Sequence, residues 1–246
     1  MKSALGMRTV VTITAAVVLL AVAVPAVAQE DWETHYSLGV FGIGAGMEGY
    51  LLAPYAPNRQ KVYFSDLNSD LNTGGGVSFA MKQARWSILS DVVFFSFDKK
   101  VNGIKANSDQ LYFELCSAFK VGDSFSVVVG GRYAKLTSDL VFPGSPQPYK
   151  RKIDADWVDP IVGGMLELPV GKSWALMMRG DVGGFGVGSD IVWHAWLRLD
   201  GKLGDAAIVS LGYRYWDNNF ESRKYPRKTG YDMTVAGPTL GIAFNF

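Results

Sequence analysis

Cysteine is almost missing from this chain: Cys116 stands alone among 246 residues. No internal disulfide can brace the fold, so an exported copy must be held by its own backbone hydrogen bonds. Histidine is nearly as scarce, with only His35 and His194, which narrows the supply of a general base. Basic residues barely outnumber acids, 24 against 23. Nucleic acid is therefore not expected as a partner, because phosphate binding rests on clustered Lys and Arg. Beyond Gln29 no apolar run is long enough to cross a bilayer as a helix, and no useful helical period appears.

What is present begins at the N-terminus. Lys2 and Arg8 form a short basic region, Val10 to Val24 is almost continuously apolar, and Ala26-Val27-Ala28 is a small-x-small cleavage site. This is the pattern of a secretory signal peptide over residues 1–28. Cleavage before Gln29 would leave about 218 residues (29–246) as one domain. Loss of two basic residues would take the formal net charge from +1 to about −1.

After Gln29, alternating runs recur between two kinds of break. Short breaks fall at Gln83-Ala84, Val121 to Ser124, Val170 to Ser173 and Leu203 to Ala206. Longer polar breaks fall at Gly49 to Leu71, Lys99 to Asn107, Ser138 to Ala155, Gly184 to Ser189 and Asp217 to Gly230. Short and long breaks alternate, as tight periplasmic turns and longer outer loops do in an up-and-down barrel. Ten strands are predicted, near 32–46, 72–82, 85–98, 108–120, 124–137, 156–170, 173–184, 190–203, 206–217 and 230–246, with eight as the alternative. The fold class expected is all-β: one antiparallel transmembrane β-barrel.

Within these strands one face is apolar and the other carries both charges. Trp86, Ile88, Val92 and Phe94 oppose Arg85, Ser87 and Asp91; Leu111, Phe113, Leu115 and Phe119 oppose Tyr112, Glu114, Cys116 and Lys120. Trp174, Leu176, Met178 and Val182 oppose Arg179 and Asp181; Ile191, Trp193, Leu197 and Leu199 oppose His194, Arg198 and Asp200. Period-two alternation alone does not say which face is inside. The chain's end does: Leu240, Ile242, Phe244 and Phe246 share one face, and apolar aromatics on a final strand suit a lipid exterior. Trp86, Trp174, Tyr133, Tyr213 and Tyr215 are candidates for interfacial girdles. The last strand resembles the closing strand of bacterial outer-membrane barrels, in which the terminal Phe is read by the barrel assembly machinery. Phe244 and Phe246 are the assembly signal that this resemblance implies.

Further stretches carry a broader likeness. Trp157-Val158-Asp159-Pro160-Ile161-Val162-Gly163-Gly164, the run from Arg179 to Asp190, Gly212-Tyr213-Arg214-Tyr215 and Gly237-Pro238-Thr239-Leu240-Gly241 occur in that order. Together they resemble a widespread family of Gram-negative outer-membrane β-barrel proteins, most closely over 156–246. In the first half the likeness runs more loosely through Trp32 and Arg85-Trp86-Ser87 to Asp91. It implies location and fold, with outer-membrane lipid and lipopolysaccharide as surroundings. It implies no reaction.

The inward charges are the candidate site. Arg85, Lys120, Arg132, Arg179, Arg198 and Arg214 are balanced by Asp91, Glu114, Asp159, Glu167, Asp181 and Asp200. Charges enclosed in a small barrel must be paired and hydrogen-bonded, and the planar fork of Arg suits carboxylates. A narrow or plugged lumen is expected, serving a structural envelope role or weak passage of small solutes. Three rivals stand beside it: a narrow porin, an outer-rim hydrolase built on Asp190 and His194 with Ser189 nearby, and a loop-based binding module. The last would use Tyr55, Tyr63, Tyr149, Lys150, Arg151, Arg223, Lys224, Tyr225 and Arg227 on lipopolysaccharide phosphates. No cofactor or metal is expected. The glycines of 183–188 precede no helix that would bind phosphate, and Asp181 with Asp190 supplies too few ligands for calcium.

Overall fold

The computed structural model describes residues 34–52, 61–65, 72–101, 103–144, 147–204, 206–221 and 230–246. The signal-like segment, Trp32 and the loop residues Tyr55, Arg223, Lys224, Tyr225 and Arg227 lie outside the described residues. The strands are β1 (Thr34–Leu52), β2 (Lys61–Ser65), β3 (Asn72–Gln83), β4 (Trp86–Val101), β5 (Ile104–Lys120), β6 (Phe125–Phe142), β7 (Tyr149–Val170), β8 (Trp174–Gly183), β9 (Ile191–Leu203), β10 (Ala207–Glu221) and β11 (Gly230–Asn245). Neighbours pair antiparallel in chain order and β11 returns to β1, which closes the sheet into a barrel. β3 pairs with β1 over Thr34–Ala45 and β2 with β1 over Glu48–Leu52. These two segments therefore share one position in the wall. Eleven segments make a closed ten-stranded up-and-down barrel, the strand number read from the alternation.

The seam runs along β1 and β11 from Leu52↔Gly230 to Ser37↔Asn245, and the last residue extends it. Tyr36 N donates to Phe246 O and Phe246 N to Tyr36 O, both at 3.0 Å. Their rings stack on the outer surface at 5.8 Å. Closure leaves no unpaired edge along this half of the sheet, so the terminal Phe is part of the wall.

Both termini of the described barrel and the turns that follow β3, β5, β7 and β9 lie at one end, here the turn end. From that end to mid-height the alternation reads as expected, apolar outward and polar inward. On β6 the outward residues Phe125, Val127 and Val129 are all exposed, while Arg132 is buried inside. Higher on the same strand the phase inverts. Lys135 and Asp139 are exposed outside, and Ala134, Leu136 and Leu140 are buried inside. β7 inverts at the same level, from Val158 and Val162 outward to Lys150, Lys152, Asp154 and Asp156 outward, with Ile153 and Trp157 turned in.

Two expectations are corrected by this inversion. The segments 99–107 and 138–155 are not long loops. They are mostly strand: β4 and β5 stay paired to Val101↔Ile104, with a tight turn at Gly103 (φ 82°), and β6 and β7 stay paired to Phe142↔Tyr149. Their polar outward residues imitate a loop because water, not an apolar phase, surrounds that part of the wall. Tyr149, Lys150 and Arg151 are likewise strand residues.

The hairpin end is filled by a core of ordinary apolar kind. Trp216 packs edge-on to Phe95 (5.4 Å) and stacked on Tyr112 (5.9 Å), and Trp157 stacks on Phe220 at 4.1 Å. Met47, Leu136, Leu140, Ile153 and Val235 close the gaps between them. Truncating one of these rings leaves a cavity that neighbours bound to a closed wall cannot refill. Phe95→Ala is expected to lower unfolding free energy by about 3–5 kcal/mol, whereas exposed Lys152→Ala shifts it by no more than about 0.5 kcal/mol. Urea unfolding of the refolded barrel compares the two.

Candidate functional site

Register brings the inward charges to one height. Asp91 faces Glu114, Glu114 faces Arg132 and Arg132 faces Asp159 on successive strands, and Asp181 faces His194 across β8 and β9. Two carboxylates directly opposed, as Asp91 and Glu114 are, repel unless cations lie between them. Arg132 Nη2 lies 2.6 Å from Glu114 Oε2 and 2.7 Å from Asp181 Oδ1. Arg179 Nη2 lies 2.6 Å from Glu114 Oε1 and 3.1 Å from Asp181 Oδ2. From the other side, Arg214 Nη2 donates to Asp91 at 2.8 Å. Three guanidinium groups thus meet three carboxylates, all six residues buried.

His194 links the two halves. Arg214 Nε donates to His194 Nε2 at 2.9 Å, and His194 Nδ1 lies 2.8 Å from Asp181 Oδ2. Arg gives up its proton to no such partner, so Nε2 carries the lone pair and Nδ1 the hydrogen, donated to Asp181. Both ring nitrogens are occupied, and the imidazole is 1% exposed.

A column of flat groups stands beside this layer. The Arg214 guanidinium lies 4.2 Å from the ring centres of both Trp216 and Trp196, and the Arg198 guanidinium lies 4.7 Å from that of Trp196. Indole and guanidinium alternate in the order Trp216, Arg214, Trp196, Arg198. Cation–π contacts strengthen where water is excluded, to about 2 kcal/mol each. Arg198 also pairs with Asp200 at 2.7 Å, and Ser210 Oγ donates to Asp200 at 2.7 Å.

Below the column a cavity of about 410 Å³ opens toward the turn end. Small inward residues such as Ser37, Gly39, Ala80 and Ala243 leave this space, and Met165, Met177 and Trp196 form the facing wall. Lys82 of β3 and Glu167 of β7, from near-opposite walls, meet at 3.0 Å and cross its mouth.

Of the sequence candidates, Asp91, Glu114, Arg132, Arg179, Asp181 and Arg214 thus form one connected cluster. Arg198 and Asp200 form a pair beneath it. Asp159 stands apart: it accepts from Ser189 N (2.6 Å), Ser189 Oγ (2.9 Å) and Trp157 Nε1 (2.9 Å), and so clamps the β8–β9 turn. Arg85 and Lys120 are exposed at the turn end, where Lys120 N donates to Arg85 O, and Glu167 is half-exposed at the mouth. Arg85 and Lys120 fall where their strands begin or end, so their side chains escape the lumen, whereas Glu167 points in across the mouth to Lys82. The Asp190–His194 pair does not form, because His194 is deep inside and Ser189 is held by Asp159. Asp181 is taken up by Arg132, Arg179 and His194 and shares no site with exposed Asp190. Sequence alternation placed His194 on the inward face but gave no sign of its central position. It also missed the inward stacking of Trp196 and Trp216. Their spacing from Arg198 and Arg214, two residues along a strand on one face, was the available signal.

No family model and no curated protein matches the chain. Among solved structures, the fold is similar to the outer membrane protease OmpT from Escherichia coli, at TM-score 0.55 and 8% identity over 89% of this chain and 99% of that one. Looser likenesses are to Ail, the attachment invasion locus protein of Yersinia pestis, in complex with the heparin analogue sucrose octasulfate (0.41, 10%, 87% and 99%). Neisserial surface protein A follows (0.37, 10%, 87% and 99%). The fold class is that of the outer-membrane β-barrels.

Removing Arg132 leaves two buried carboxylates, Glu114 and Asp181, to share one guanidinium, that of Arg179. Arg132→Met is expected to cost about 3–5 kcal/mol, and Arg132→Met with Glu114→Gln less than the sum of the singles by about 1–3 kcal/mol. Lys82→Ala, at a half-exposed pair, costs about 1 kcal/mol or less. Denaturant midpoints of the four variants check this ordering.

Proposed function

We propose that this protein is an integral outer-membrane β-barrel with a closed lumen, which serves the envelope as a structural element and not as a channel. The outward belt supports the membrane setting. Trp86, Trp174, Phe244 and Phe246 are exposed near the turn end, Trp193 and Tyr213 higher up, and Val129, Val162, Leu197 and Leu240 between. On β6 the belt runs from Phe125 to Tyr133, about 26 Å along the strand at ~3.3 Å per residue. At the usual tilt that is roughly 20 Å along the axis, close to the apolar band of such barrels. Residues 1–28 act as the export signal, and Phe246 as part of the assembly signal. Lipid and lipopolysaccharide are the surroundings, with the turn end toward the periplasm.

One observation carries the closed lumen: two unlike plugs lie in series. The ion cluster fills mid-height, and the ring core of Phe95, Tyr112, Trp157 and Trp216 fills the hairpin end. An ion-selective pore would instead show one sign of charge around an open constriction. The likeness to OmpT is one of fold, and the hydrogen bonds at His194 leave it no free nitrogen to activate water.

Purified barrel reconstituted in planar bilayers is expected to give no stepwise current, and to remain silent after Arg179→Ala with Asp181→Ala, because the apolar plug persists. Regular conductance steps from the unmodified protein would overturn the closed lumen. N-terminal sequencing of the exported protein is expected to begin at Gln29; retention of Met1 to Ala28 would contradict the signal assignment.

A further inference from the structure

The cavity beneath the column is built as a site. Its roof is the lower end of the Trp216–Arg214–Trp196–Arg198 stack, and Arg198 is the member of that stack left partly exposed. Arg198 spends Nε and Nη2 on Asp200, and its side chain is 24% exposed where it lines the cavity. A guanidinium carries five N–H donors in all. A ligand oxygen within the cavity is an acceptor that this donor set suits.

The charges around the cavity narrow the ligand further. Arg179 is matched by Glu114 and Asp181, Arg198 by Asp200, Asp91 by Arg214 and Lys82 by Glu167. No net charge is left for an ionic ligand to neutralise, and an ion entering would lose its hydration without compensation. The walls offer thioethers and an indole, which suit a flat, polarisable ring. A volume of about 410 Å³ lies at the small-ligand end of pocket sizes.

We propose that this cavity binds a small uncharged aromatic compound bearing a carbonyl-type oxygen, entering from the turn end past Lys82 and Glu167. The ring adds a further rung below Arg198, and the oxygen takes up a donor at the roof. The site lies on the turn side of both plugs, so binding needs no passage through the barrel and is independent of whether the lumen conducts.

The test uses full-length refolded barrel in detergent with 4-fluorobenzamide as the probe, followed by the width of its fluorine resonance. Its saturated counterpart, 4-fluorocyclohexanecarboxamide, keeps the oxygen and removes the ring's π face. Saturable broadening is expected for the aromatic probe, with affinity at least about tenfold above that of the saturated one. Loss of broadening is expected when the space is filled by Ala80→Leu or, separately, Ala243→Leu, each verified as folded by its heat-modifiable migration. Equal affinity of the two probes would overturn the stacking role. Absence of saturable binding, or binding undiminished in a folded filled variant, would overturn the site.

Discussion

Three buried guanidinium groups and three buried carboxylates tie the inside of this barrel together, and most of the rest is arranged around their needs. Asp91 and Glu114 face each other across a strand pair, a juxtaposition tolerable only because Arg214 reaches one and Arg132 and Arg179 the other. The Asp91–Arg214 contact joins β4 to β10, far apart in chain order. The cluster therefore acts as a set of cross-braces, setting the barrel's girth where backbone ladders alone would fix only neighbouring strands. Ionic braces are demanding: they stabilise only if few donors and acceptors are left over. His194 meets part of that demand by accepting from Arg214 and donating to Asp181.

The same strands serve two solvents. Below mid-height the wall turns apolar side chains out, and above it the wall turns Lys, Asp and Asn out and rings in. No strand is broken to do this; only the phase of the alternation changes. β6 and β7, at 18 and 22 residues, exceed the ~9–11 that a bilayer requires, and the excess carries its own soluble-type core. The interior consequently holds the ion cluster where the exterior is apolar, and the ring core where the exterior is polar. The closed lumen proposed above rests on these two unlike fillings in series.

Much of the fold was legible because period-two alternation is strong over each lipid-facing half strand. Ten strands, their order, and the outward set Trp86, Leu115, Trp174, Leu197 and Leu240 follow from it. The phase change was not legible as such: a window centred on Asp139 or Asp154 looks like a polar loop. Asn102-Gly103, a short hairpin signal, was available to mark the break at 99–107 as a tight turn, but the polar composition around it reads as a long loop. The charged residues were identifiable as inward, but their partners depend on register, which one sequence does not state. Hence Asp159, equal in chemistry to Asp181, clamps Ser189 instead of joining the cluster. Arg85 and Lys120 shared the inward phase but fall at strand ends, where phase no longer decides exposure, while Glu167 keeps the phase and meets Lys82 at the mouth.

The phase change itself is open to the most direct test. Nitroxide labels placed one at a time on outward β6 positions Val127, Val129, Lys135, Thr137 and Asp139, in barrel reconstituted into lipid vesicles, report contact with oxygen in the bilayer or with a water-soluble nickel complex. Labels at 127 and 129 are predicted to favour oxygen, and labels at 135, 137 and 139 to favour nickel, with the crossover near Tyr133. Oxygen preference continuing through 139, or nickel access at 127, would contradict the account.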